Sequence, residues 1–221
     1  MASARPTSQP DFWNARYQLE GYAFGARPDP FVARALVQME TDGTLAVPSR
    51  VADLGAGEGR LAVFAAERGH QVVAVDFAVD GLHKARGLAR ERGVTIHTAV
   101  ADIQTWKPAQ PLDGVLLGLV HLLPAERHRL LKRLPELLRP GGVLIARWFD
   151  EAHAARGTFG PSKPDRLVTA RALHNLLPSG TMLECTARTV AMDQGRYLRG
   201  VADVVDVVWQ SAAVRQKGRG C

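Results

Sequence analysis

From residue 50 onward, short continuous apolar runs alternate with longer stretches whose apolar residues recur at helical spacing. "RVADLG" and "QVVAVD" are Val-rich, end in Gly or Asp, and read as strands buried on both faces. Between them, "GRLAVFAAERGH" has the helical period and stops near Gly69. "VDGLHKARGLARERG" reads as another helix, followed by the strand candidates "VTIHTAVAD" and "LDGVLLGLV". In "PAERHRLLKRLPELLRPGG", Leu130, Leu131, Leu134, Leu137 and Leu138 share one helical face. Pro124 suits the first turn of that helix, whereas Pro135 is expected to bend or break it. "GGVLIARWF" is the next strand. Such alternation predicts a mainly parallel sheet with helices on both faces.

The end of the chain changes character. "TMLECTARTVAM" and "VADVVDVVW" are two more strands, joined only by "DQGRYLRG". That link is too short for a crossover helix, so the two are expected to pair antiparallel. The expected fold is therefore α/β and Rossmann-like: a seven-stranded, mainly parallel sheet ending in an antiparallel hairpin. With no internal repeat, residues 1–221 read as one domain. Its parts are a helical, aromatic cap or lid (1–48), a cofactor-binding half (49–150), a substrate-side half with the hairpin (151–212) and a tail (213–221).

Composition narrows the class. Of 221 residues, 46% are hydrophobic and 23% charged, a balance that supports a real core. Cys185 and Cys221 are far apart, which excludes a disulfide-stapled scaffold. "MASARPTSQPDFW" lacks the apolar stretch of a signal peptide, and no run reaches the roughly 18 apolar residues of a membrane span. A cytoplasmic protein without a membrane partner is expected. The net charge of +6 invites a nucleic-acid reading. The basic residues are dispersed, however. Arg86, Arg90 and Arg92 on one predicted helix, and Arg127, Arg129, Lys132 and Arg133 on another, read as solvated faces.

The chemistry gathers around "VADLGAGEGR", residues 51–60. Gly55 and Gly57 sit where a strand turns into a helix, so the backbone can approach a ligand without a Cβ in the way. A dinucleotide loop wants Gly or Ala five residues after the first glycine, and that position is Arg60. The third glycine, Gly59, comes one residue early. Asp53 also fits poorly beside a pyrophosphate and well beside an ammonium group. Asp76 ends the second strand, where a carboxylate can accept from both hydroxyls of a ribose. Asp102 follows the third strand, within reach of an adenine amino group, with Phe77 and Ile103 as apolar walls. Three acids closing three successive strands favour S-adenosylmethionine over NAD or a flavin.

Residues 51–94 resemble the cofactor half of class I S-adenosylmethionine-dependent methyltransferases, and "LLRPGGVLIARWF" is similar to their turn into the fifth strand. "FWNARYQLEGYAFGARPDPFV", "HLLPAERHRLLKRLPELL", "GPSKPDRL" and "DQGRYLRGVADVV" resemble the tellurite-resistance group, with thiopurine methyltransferases more distant. The chain departs from that group at Leu198, where a His is usual, and at Arg147, where an acid is common. Phe159-Gly160-Pro161 stands in place of Gly-Gly-Pro. All three lie toward the acceptor. These readings place the cofactor along Trp13, Tyr17, Asp53, Gly55, Ala56, Gly57, Asp76, Phe77, Asp102, Ile103, Gly118 and Leu119, with no metal.

The implied reaction is methyl transfer to a small soft nucleophile, a thiol or a chalcogen species. His121, just past "DGVLLG", is the candidate catalytic residue; its other reading is a helix-entry residue bonded to backbone. Trp13, Tyr17 and Tyr22 are candidates to close over the site and face a sulfonium. Arg147, Arg196 and Tyr197 are candidates to meet an anionic acceptor, or else rim residues. Two alternatives stand beside this reading: a nucleic-acid or protein methyltransferase, and a non-catalytic S-adenosylmethionine-binding protein. Against nucleic acid, "DGVLLGLVH" lacks the Asn/Asp-Pro-Pro-aromatic run of base amino-methyltransferases, and no base-stacking platform is evident.

Overall fold

The apolar runs become the strands of one sheet. A computed structural model describes residues 10–157, 159–161 and 163–213. In chain order the elements are α1 (Pro10–Tyr17), α2 (Pro30–Thr41), β1 (Arg50–Leu54), α3 (Arg60–Glu67), β2 (Gln71–Asp76), α4 (Val79–Glu91), β3 (His97–Val100) and β4 (Leu112–Gly118). They continue with α5 (Pro124–Lys132), α6 (Leu134–Leu137), β5 (Leu138–Phe149), two 3-10 turns (Glu151–Ala155 and Pro164–Arg166), α7 (Ala170–Leu176), β6 (Gly180–Gln194) and β7 (Leu198–Ser211).

The strand order is β3-β2-β1-β4-β5-β7-β6. β1 to β5 run parallel, while β7 pairs antiparallel with both β5 and β6. β6 and β7 are separated only by residues 195–197, so the expected hairpin forms with a tighter link than the sequence pattern defined. The direction of crossover reverses between β1 and β4, where an open α/β sheet leaves a crevice for a ligand.

Alternation along each strand sorts the core into two layers. Val143 and Ile145 of β5 pack with Leu36, Ala62 and Leu82 from α2, α3 and α4. Leu144, Ala146 and Trp148 face the other way, onto Leu130, Leu134 and Leu173 from α5, α6 and α7. Gly59 lies in the left-handed region, at φ 83°, where a Cβ would stand 2.5 Å from Ala85 Cβ. The early third glycine thus serves the close packing of α3 against α4.

Three expectations are corrected. The predicted N-terminal cap divides: α2, capped by the Asp29 carboxylate on Phe31 N (3.0 Å) with Pro30 in its first turn, belongs to the helical layer, and only the segment around α1 reaches the site. The Leu-rich helix breaks just ahead of Pro135, as expected, ending at Lys132 and restarting at Leu134 with Pro135 in the first turn of α6; what is corrected is Leu138, which begins β5 instead of ending a helix. Arg127 and Arg133 do not lie on a solvated face. Arg127 is buried, and Arg133 donates to the carbonyls of Ile103 (3.2 Å), Trp106 (2.7 Å) and Gln104. No described helix is long and apolar enough to cross a membrane. Cys185 is half-buried and donates to Ala170 O, while Cys221 and residues 214–221 of the expected tail lie outside the described residues.

Candidate active site

The carboxyl ends of β1, β2 and β4 and the loop after β3 open into one cavity. It brings together every residue assigned to the cofactor from sequence, from Trp13 to Leu119, and His121 as well. The acids differ in what already holds them. Asp53 is buried and accepts from Ala62 N (3.0 Å) in the first turn of α3. Burial pushes its carboxyl up to about 7, with the Ala62 N–H and Arg60 pulling down and Asp76 pushing up. Asp76 clasps the glycine loop to the end of β2: its oxygens accept from Gly57 N (2.8 Å) and Ala78 N (2.8 Å). Burial raises its pKa against those N–H groups. Each carboxylate oxygen keeps a second lone pair, so Asp76 can still accept from a ligand hydroxyl. Asp102 closes a turn on Gln104 N (2.8 Å), and Arg133 fixes that same loop through its carbonyls.

The glycine loop carries its own fastenings to the N-terminal segment. Glu58, buried, accepts from Ala23 N (3.1 Å), Phe24 N (3.2 Å) and Lys84 Nζ (3.1 Å). Arg60 donates to Phe24 O (3.3 Å) and to Gln194, and the Ala23 carbonyl accepts from Arg196 N (2.9 Å) of the β6–β7 link. These contacts hold Phe24 in the cavity wall, against Trp13 and Tyr17. A Cβ on Gly57 would stand 2.6 Å from Tyr17 Oη, so the loop and the aromatic cover meet directly. Hydrogen bonds to a charged group contribute about 1.5–3 kcal/mol each. In Glu58→Ala the Ala23 and Phe24 amides should therefore exchange with solvent at least roughly tenfold faster. Unchanged exchange at those two amides contradicts the clasp.

At the other end of the cavity, Leu119 follows β4 with φ 58°, a left-handed conformation that costs energy for a side-chain-bearing residue. Its N–H donates to Arg147 O (2.8 Å), and its side chain packs with Phe149 and Leu198. The His121 ring lies 5.5 Å from Trp13 and 6.0 Å from Phe149, centre to centre. Burial, then Arg166 and Arg16, push the imidazole down to about 3. Among the described residues its side chain does not make the backbone hydrogen bond that its alternative reading had it make; its carbonyl accepts from Arg166 (3.1 Å).

Two expected positions are corrected. Tyr22 points away from the cavity and donates to Glu91 (3.2 Å). Arg147 does not meet the cavity: it is buried between Asp29 (3.1 Å) and Asp206 (2.6 and 2.8 Å). Arg196 is exposed and Tyr197 packs on Phe24. The sequence reading missed Phe24, Phe149, Glu58 and Arg60. Phe24 lay in plain view within "GYAFG", and the two charges inside an otherwise apolar glycine loop were the available signal.

Comparison with known proteins agrees with this geometry. Residues 51–142 match the family described as "Methyltransferase domain". The chain is 36% identical over 106 residues to tRNA 5-carboxymethoxyuridine methyltransferase of Escherichia coli K12, covering 46% of this chain and 40% of that protein. It is 32% identical over 139 residues to 2-heptyl-1-hydroxyquinolin-4(1H)-one methyltransferase of Mycobacteroides abscessus, covering 61% and 59%. The chain thus spans about half the length of the curated relatives it matches. A structure from work on the conversion of a disulfide bond into a thioacetal group during echinomycin biosynthesis superposes with TM-score 0.70 at 19% identity, over 94% of both chains. The N-methyltransferase NodS of Bradyrhizobium japonicum, in complex with S-adenosyl-L-homocysteine, superposes with TM-score 0.66 at 15% identity, over 91% and 97%. The chain carries the fold of class I S-adenosylmethionine-dependent methyltransferases, and residues 51–142 are the part that matches the methyltransferase-domain family.

Proposed function

We propose that this protein is an S-adenosylmethionine-dependent methyltransferase acting on a small soft nucleophile. The observation that carries the reading is the ring of three acids, Asp53, Asp76 and Asp102, around one glycine loop beneath an aromatic cover. Asp53 would hold the ammonium group, Asp76 the ribose hydroxyls, and Asp102 with Phe77 and Ile103 the base. Gly55, Ala56, Gly57, Gly118 and Leu119 would supply close backbone. When bound, the cofactor supplies a methyl group already activated by its sulfonium. The chain's own part is then to align an acceptor and to exclude water, the task of Trp13, Tyr17 and Phe24. Residues 10–25 act as the cover, residues 49–150 hold the cofactor, and residues 151–212 complete the acceptor side.

The Asp53 carboxyl, at about 7, makes cofactor binding pH-dependent. Below that value it is neutral, and an ammonium ligand must draw off its proton. Affinity for S-adenosylhomocysteine is therefore expected to rise with pH up to about 7 and then level, with proton release on binding below it. The same raised value means that its contribution to folding stability declines as pH climbs from the ordinary carboxylate range toward 7. Calorimetry in buffers of different ionisation enthalpy reads the released proton directly; no release at pH 6 removes the ammonium role.

A second reading, nucleic-acid methylation, draws on the tRNA-modifying relative and the charge of +6. Against it, Arg133 and Arg147 spend their charge inside the protein. Methyl transfer to tRNA and to a panel of small thiols, run side by side, decides between the two. Transfer to tRNA at a rate exceeding the thiols overturns the small-acceptor proposal.

A further inference from the structure

β6 forms one edge of the sheet and is its longest strand, 15 residues from Gly180 to Gln194, against 4 in β3 at the other edge. β7 takes one side of its backbone. Among the described residues no other backbone segment bonds to β6 between Gly180 and Asp193. An open ladder of this length is a template for a further strand, and proteins usually guard such an edge with lysine, proline or a bulge. β6 has neither lysine nor proline, and its bulge lies near its start, between Met182 and Glu184. Leu183, at that bulge, is 46% exposed. From Glu184 onward the backbone is free to pair.

Two charges decide what it can pair with. Glu184 and Arg188 both project on the α2 face of the sheet: Glu184 meets Arg34 of α2 (3.3 Å), and Arg188 meets Asp206 of β7 (3.3 Å). They also meet each other, at 2.9 Å. Four residues of strand separate their Cα atoms by about 13 Å, so both side chains must lie along the strand to make that contact.

Two copies of β6 set antiparallel about a two-fold axis through Thr186 place Glu184 opposite the partner's Arg188, and do so twice. The Cβ atoms of directly opposite residues are about 5 Å apart, so each ion pair forms without the long reach. The residues between them, Cys185, Thr186 and Ala187, are small and carry no charge. Every other register that keeps the side chains on their own faces is displaced in two-residue steps. Those registers set Glu184 against itself, Arg188 against itself, or one of them against an uncharged residue. The two charges therefore block indiscriminate pairing and admit one arrangement.

We propose that two copies of this chain associate along β6, antiparallel about Thr186, joining their two sheets into one. The contact is isologous and closes on itself, so it stops at a dimer. It does not depend on the methyl-transfer reading, because none of residues 180–193 lines the cavity.

The contact is small, which places the expected dissociation constant at roughly micromolar. Sedimentation equilibrium of the full chain, from about 1 to 500 µM, should show the mass rising from 24.0 kDa toward twice that value. Glu184→Arg sets arginine against arginine and should weaken association at least about tenfold. Combining it with Arg188→Glu restores opposite charges and should recover most of the loss. A monomer at every concentration overturns the proposal, as does a dimer that Glu184→Arg leaves intact, or a folded double variant that stays monomeric. A readout on the unaltered chain needs no substitution. Within residues 184–188, the amides directed away from β7 should exchange more slowly as protein concentration rises. Exchange there that is independent of concentration also overturns it.

Discussion

Replacing Arg147 by methionine should lower the free energy of unfolding by about 3–5 kcal/mol, the scale for removing one partner of a buried ion pair. The arginine joins the cap of α2, Asp29, to Asp206 of β7, and all three side chains are almost wholly enclosed. Methionine keeps much of the apolar stem, so the substitution chiefly removes the charge. Asp29 then stays buried with no ion-pair partner among the described residues, Arg60 reaching it only through Gln194 and at longer range, and Asp206 keeps the half-exposed Arg188, at 3.3 Å. Asp206 already sits above its usual pKa through burial, with Arg147 holding it down, so the variant should also lose stability further as pH rises. Adding Asp206→Leu to the variant should recover part of the loss, because apolar replacements of buried pairs are tolerated. Urea denaturation measures both. A change under about 1 kcal/mol, paired with a loss of acceptor affinity, would return Arg147 to the role of acceptor ligand that its position near the end of β5 first invited.

Asp76→Ala should weaken S-adenosylhomocysteine binding by about 1.5–3 kcal/mol, roughly 10- to 150-fold. The carboxylate has two tasks, fixing Gly57 N and Ala78 N and accepting ribose hydroxyls, and the substitution removes both. Asp76→Asn separates them: its oxygen can still accept from one N–H, while its amide presents a donor to the other. A smaller loss in Asn than in Ala is therefore expected. Unchanged affinity in Asp76→Ala, measured by calorimetry, removes the ribose role.

The strands were legible because a sheet covered on both faces needs continuous apolar runs, as in β1 and β2, and because "DQGRYLRG" leaves no room for a helix. The cofactor side was legible for a related reason. Glycines and acids at strand ends are local features, and strand ends converge in this topology. The corrections concern partners distant in sequence. Arg147 lies two residues beyond Ile145, so alternation does place it on the α2 face of the sheet, but its partner Asp29 is 118 positions away. Arg133 looked like one more exposed charge on a basic helix until the loop carrying Asp102 folded beneath it. Phe24 owes its place in the wall to Glu58, through backbone amides that no side-chain pattern encodes.

The central claim is that the cavity at the carboxyl ends of β1, β2 and β4 binds S-adenosylmethionine and its product. Titration calorimetry of the purified chain with S-adenosylhomocysteine, and separately with NAD, tests it most directly. The account predicts saturable binding of S-adenosylhomocysteine at one site per chain, lost or strongly weakened in Asp76→Ala, and no heat of binding with NAD. Binding of NAD with none of S-adenosylhomocysteine, by a folded protein, contradicts it.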